Sequence, residues 1–190
     1  MKISECKSKG SGLLSTKKFF DLNYGHKYFY DNWNKYYPDF PPHILVSAWY
    51  ELEPNIRWHY DSANSAKKIL SDYFIEMAEF AVNNDLNGVY KFFMRLGGIK
   101  RVLGLAPQLN SAYLNCVNGK VLVNKDNYYR AEVNCPSFAR DWHMYGQKGG
   151  FMAIIKLFGY ELIAFNILAE EEYINSDLQF SKIIFELIYK

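Results

Sequence analysis

Two short runs join a histidine to an indole and a carboxylate: Trp58-His59-Tyr60-Asp61 and Asp141-Trp142-His143. A neutral imidazole beside a carboxylate can ligate a metal or move a proton near neutral pH. Neither run has HExxH spacing or a third ligand, and both read more readily as helix-surface histidines next to core tryptophans. Nucleophilic chemistry has no support, because the chain holds no Gly-x-Ser-x-Gly elbow. Gly146, Gly149 and Gly150 fit no phosphate-cradling pattern, and Glu170-Glu171-Glu172 reads as a solvated strand end. No metal, cofactor or catalytic set follows, and the chain is expected not to be an enzyme.

Rings are the more informative feature. Aromatic residues make up 18% of the chain, with 16 Tyr, 14 Phe and 4 Trp. Rings with a few polar tips can wall a pocket for a flat or fatty molecule. The candidate ligand-binding set is Trp49, Tyr50, Trp58, His59, Tyr90, Phe93, Tyr113, Trp142 and Tyr145, drawn from separate elements. The ligand they imply is an apolar or aromatic small molecule. The same rings would equally make a filled core.

The 22 basic and 20 acidic residues are well mixed and leave a net charge of +2, a balance that argues against nucleic acid as a partner. Residues 1–13 read as a flexible tail and 14–190 as a single domain. The tail has no apolar h-region, and no run approaches the roughly 18 apolar residues of a membrane span, so the expected location is cytoplasmic. Cys6, Cys116 and Cys135 show no CxxC spacing. Reduced, buried thiols are expected, although Cys116 and Cys135 could face each other across a hairpin.

The elements that must position these residues follow from periodicity. Asn84 to Gly98 places Leu86, Tyr90, Phe93 and Leu96 on one helical face and ends on Gly97-Gly98, which predicts a buried central helix. Upstream, Ser15 and Thr16 are N-cap candidates for a helix running toward Trp33, with Gly25 its weak point and Pro38, Pro41 and Pro42 its end. His43 to Tyr50 reads as a strand or an extended segment. A helix opens at Glu51, and a longer one from about Ser65 carries Ile69, Tyr73, Met77 and Phe80 on one face. Pro107 opens a short helix to about Leu114.

After Asn118-Gly119 the period changes to two. Lys120 to Cys135 is a hairpin turning at Lys125-Asp126-Asn127. Asp141 to Phe158 is a helix with Trp142, Tyr145, Gly149, Met152, Ile155 and Leu157 inward. Tyr160–Glu172 and Gln179–Tyr189 are strands joined through Asn175-Ser176-Asp177. The fold class is α+β: N-terminal helices, then a ββαββ unit with a four-stranded antiparallel sheet. The last strand is apolar on both faces, with Ile183, Phe185 and Leu187 alternating with Ile184 and Ile188. A face of that kind needs cover, so a homodimer is expected.

Three segments carry a family resemblance: Ser47-Ala48-Trp49-Tyr50-Glu51-Leu52-Glu53, Asn84 to Gly98, and its Phe93-x-x-Leu96-Gly97 ending. With the element order, they make the chain similar to an uncharacterised bacterial domain family. That family is related to the heme-NO-binding, 4-vinyl reductase and TRAPP-like ligand-binding superfamily. The resemblance implies a sensor domain in bacterial signalling, commonly paired. It does not carry over the cofactors. The heme sensors use an axial His and a Tyr-x-Ser-x-Arg motif, which is missing here; Tyr128-Tyr129-Arg130 does not replace it. The zinc-holding cysteines of the 4-vinyl reductase type would fall after Cys135, where this chain has none, and no cysteine matches the acylated one of tethering subunits. A small-molecule sensor without heme is the expected function, with a protein-interaction module as the alternative.

Overall fold

The computed structural model describes residues 2–86 and 97–190. The helix expected between Asn84 and Gly98, with Tyr90 and Phe93, lies mostly outside them. A 3-10 turn at Ile3–Glu5 leads through β1 (Lys7–Lys9) into α1 (Gly10–Tyr24), α2 (Tyr28–Tyr36), β2 (Trp49–Glu51), α3 (Leu52–Ser65) and α4 (Leu70–Leu86). Two short helices follow, α5 (Gly98–Gly104) and α6 (Ala106–Tyr113). The chain closes with β3 (Asn118–Lys125), β4 (Tyr128–Pro136), α7 (Arg140–Leu157), β5 (Leu162–Asn175) and β6 (Leu178–Tyr189). This is the α+β order of helices followed by ββαββ.

The four-stranded sheet is antiparallel throughout, in the order β3-β4-β6-β5. Its turns sit where asparagine and serine accept a left-handed backbone, at Asn127 (φ 64°) and Ser176 (φ 59°). Strand alternation sends Tyr129, Ala131 and Val133 of β4 and Ile183, Phe185 and Leu187 of β6 to one face. There they pack with Met144, Phe151 and Ile155 of α7. The opposite face carries Arg130 and Glu186, an ion pair at 3.4 Å.

A second core lies among α1–α4. Trp58 stacks between Phe29 and Tyr36, each ring centroid 4.8 Å away. The Trp33 indole N–H donates to the Phe40 carbonyl at 2.8 Å, which holds the proline-rich loop against the helices. Helices α4 and α7 join the two cores. They approach closely at Gly149, where a Cβ would lie 2.2 Å from the Ile75 carbonyl oxygen.

Several expectations are corrected. Residues 2–13 are no loose tail: Cys6 and Leu13 are fully buried, and β1 pairs with β2. Ser15 and Thr16 do not cap α1 but lie inside it, since the pairing of β1 sets the helix start at Gly10. Of His43–Tyr50 only Trp49 and Tyr50 are strand. Residues before them lie along α1, whose Gly10 and Ser11 amides donate to the Ala48 and Val46 carbonyls. Ile69 precedes α4 and is exposed. Leu157 of α7 is exposed as well, whereas His143, Met144, Phe151 and Ala153 are buried. That helix is covered by α4 on one side and the sheet on the other, so a single stripe does not describe it.

The thiols are corrected too. Cys6 and Cys116 are disulfide-bonded, with Cα atoms 5.2 Å apart. Cys135 stays free, and burial pushes its thiol up to about 12. A pairing across 110 residues has no local signal in the sequence.

Candidate functional site

A cavity of about 240 Å³ lies where the two cores meet. Helix α4 supplies an apolar wall of Met77, Ala78, Ala81 and Val82. Opposite, α7 presents Trp142, His143, Gly146 and Gln147. The spacing 142, 143, 146 puts these residues along one helical face. The remaining wall comes from Ser8 of β1, from Gly12, Ser15 and Thr16 of α1, from Asn55 of α3, and from Asn110, Tyr113 and Leu114 at the end of α6. Small residues make the room: a Cβ on Gly146 would stand 4.0 Å from the Ala78 Cβ.

The wall by β1 is tied down locally. Ser8 and Leu114 form an isolated β-bridge, the Lys7 amide donates to Asn115 Oδ1 at 2.6 Å, and Asn115 Nδ2 donates to the Glu5 carbonyl at 2.9 Å. The disulfide closes the same seam one residue beyond each end.

Polar groups behind the cavity form a buried chain. Thr16 Oγ1 lies 3.4 Å from Asn55 Oδ1 and 3.1 Å from His59 Nε2, and His59 Nδ1 lies 3.1 Å from the Tyr73 hydroxyl. The chain is satisfied throughout when Tyr73 donates to Nδ1, Nε2–H donates to Thr16, and Thr16 donates to Asn55. Burial lowers the His59 pKa to about 3, so the ring is neutral. His143 is also neutral, its pKa lowered by burial to about 4. It differs in having no hydrogen-bond partner for Nε2 among the described residues.

Of the sequence-expected site residues, the cavity brings together Tyr113 and Trp142. Trp58 and Tyr50 are buried in the ring cluster of α1–α4, and His59 backs the cavity through Thr16 without lining it. Tyr145 packs half-buried on the same cluster, and Trp49 is 37% exposed, under the Lys9 ammonium. Tyr90 and Phe93 lie outside the described residues. His143 lines the cavity and was absent from the expected set; its signal was its place beside Trp142, three residues before a glycine.

Elsewhere chemistry is sparse. Among the described residues no group of three His, Cys, Asp or Glu side chains could hold a metal, and no helix is long and apolar enough to cross a membrane. Glu170 is bound bidentately by Arg140, at 2.9 and 2.7 Å, which holds its carboxyl below the usual range.

No family model and no curated protein matches the sequence. Solved structures do match its fold. An oxygen-binding H-NOX domain related to soluble guanylate cyclases aligns with a TM-score of 0.70 at 12% identity, over 96% of this chain and 95% of that one. A structure that probes heme distortion in the H-NOX family aligns with a TM-score of 0.70 at 13% identity, over 96% and 95%. A mutant H-NOX domain from Shewanella oneidensis, in its Fe(II)CO ligation state, gives a TM-score of 0.60 at 15% identity, over 94% and 98%. The chain has an H-NOX-like fold.

Proposed function

We propose that this chain is a non-enzymatic sensor domain that binds a small apolar or aromatic molecule in the cavity between α4 and α7, without heme. The observation that carries the reading is the cavity itself, apolar on α4 and edged with buried polar atoms on α7 and β1. Pockets that bind small molecules have this make-up. Solved structures of the same fold include oxygen-binding and heme-bearing H-NOX domains, which supports a sensor role.

Two features of the described lining support the heme-free reading. At about 240 Å³ the cavity is below the ~300–1,000 Å³ of drug-sized sites, and a porphyrin is a large ligand. A porphyrin's carboxylates would find no Lys or Arg among the described lining residues. The test has two arms. Hemin reconstitution followed by desalting should leave no stoichiometric Soret band. Native mass spectrometry of gently purified protein should show an added small mass. A stoichiometric Soret band that depends on a histidine would overturn the heme-free reading.

Pairing belongs to the same reading. Strand β5 is an outer edge of the sheet and exposes Ile163, Ile167, Leu168 and Ile174. Exposed aliphatic side chains on an outer strand favour pairing, although Glu170, Glu171 and Glu172 interrupt them. The proposed homodimer predicts a mass near twice 22.3 kDa in light scattering at micromolar concentration. A persistent single-chain mass would remove it.

A further inference from the structure

The cavity wall also constrains what can sit in it, an inference that rests on the reading of the cavity as a ligand site. Three residues lining it carry buried polar atoms with no hydrogen-bond partner among the described residues: Ser8 Oγ, Trp142 Nε1 and His143 Nε2. Ser8 and His143 are only 4% and 3% exposed. Buried polar atoms are nearly always paired, and three of the seven unpaired ones among the described residues belong to side chains around this one cavity, which asks for a partner there. The contrast with Thr16 and Asn55 is informative. Those two also line the cavity, yet they are tied to each other and to His59.

The three atoms ask for different things. An indole N–H only donates, a serine hydroxyl does either, and a neutral imidazole nitrogen donates or accepts according to its tautomer. A carbonyl ligand would satisfy the indole but would meet His143 in one tautomer only. A hydroxyl donates and accepts, so it satisfies each of the three in any tautomer. Charged groups are disfavoured: no Asp, Glu, Lys or Arg is among the described lining residues, and a carboxylate or ammonium would lose its water without a counter-charge. Size narrows the class further. An apolar cavity of about 150 Å³ accepts benzene, so one of about 240 Å³ has room for a single ring and a substituent.

We propose that the site takes a neutral, hydroxyl-bearing molecule of about single-ring size, its hydroxyl toward Trp142 and His143 and its hydrocarbon against Met77, Ala78, Ala81 and Val82 of α4. The rings of Trp142 and His143 are neighbours, with centroids 6.4 Å apart.

Titration of the full chain with four ring compounds tests this, followed by calorimetry or ligand-observed NMR. Cyclohexanol should bind at least about tenfold more tightly than methylcyclohexane, which replaces the hydroxyl by a methyl group. Cyclohexanecarboxylate and cyclohexylammonium should show no binding. The variant His143→Phe should shrink the preference for the alcohol to within about threefold, and His143→Gln, which keeps a hydrogen-bonding group, should restore part of it. Equal binding of alcohol and hydrocarbon would overturn the hydroxyl assignment while the ligand site stands. Carboxylate binding as tight as that of the alcohol would overturn neutrality. Failure of every ring compound to bind would overturn the ligand site as well.

Discussion

The two cores are built on different principles. Among α1–α4, rings pack on rings: Phe20 lies 5.1 Å from both Trp58 and His59, and Phe19 meets Tyr73 edge-on at 5.5 Å. Some of their polar tips are tied off inside, as with Trp33 on the Phe40 carbonyl and His59 between Thr16 and Tyr73, while the Trp58 indole N–H has no partner among the described residues. Under the sheet, aliphatic side chains dominate and strand alternation does the sorting. Trp142 packs against both clusters. The opening lies at this boundary, where Ala78, Ala81, Gly12 and Gly146 leave space. Aromatic residues fill volume well, so a surplus of them marks where a protein is full. Small residues facing each other mark where it is hollow.

The largest expected effect tests the filled region. Trp58→Ala should cost about 3–5 kcal/mol in urea unfolding, the usual range for a buried ring lost from a tight core. A cost under about 1 kcal/mol would mean that Trp58 is not tightly packed between Phe29 and Tyr36.

The two buried histidines sharpen the contrast. His59→Phe removes one hydrogen bond from Thr16, which keeps Asn55, and one from Tyr73, at about 0.5–1.5 kcal/mol per bond. His143→Phe strands no described group at Nε2 and should change stability by less than about 1 kcal/mol. Equal midpoints for the two variants would erase the distinction between a tied and an untied imidazole.

Acid should act on both histidines in the same direction. Their folded pKa values, about 3 for His59 and about 4 for His143, lie below the unfolded value near 6.5. Between these limits the unfolded chain binds more protons. The stabilisation is therefore complete above about pH 6.5 and is lost as pH falls toward 4 and below. From pH 7 to pH 5 each ring should remove about 2 kcal/mol. Unfolding free energies measured across this window should fall less steeply in His143→Phe. An unchanged slope would show that the ring is not held neutral.

The smallest effect concerns the hollow. Gly146→Ala finds room for its methyl group and gains helix propensity, so stability should rise by about 0.5–1 kcal/mol. The same methyl group enters the cavity, so binding of a ring-sized ligand should weaken. A stable variant with unaltered binding would place the ligand elsewhere.

The sheet was legible because its signals are local. Alternation in Lys120–Cys135 and Gln179–Tyr189, with turn residues at Asn127 and Ser176, needs no knowledge of the remainder of the chain. Pro107 marked the start of α6 for the same reason. The N-terminal segment was not legible, since its order comes from β2, Asn115 and Cys116, all of them distant in the chain. Little of the candidate site was legible. Tyr113 and Trp142 reach the cavity, but ring identity could not separate them from Trp58 and Tyr50, whose environment is decided by neighbours on other helices. His143 was visible only as the residue next to an indole.

The bond between Cys6 and Cys116 makes the chain a lariat, closing a loop across a sequence separation of 110. Most of the helical half lies inside that loop, including the exposed stretch around Leu45, at 65% accessibility. A single chymotryptic cut there would sever the backbone without releasing a fragment. The nicked protein should migrate as one species on a denaturing gel without reductant and separate into two bands once a thiol is added. Two bands without reductant would show that the loop is open.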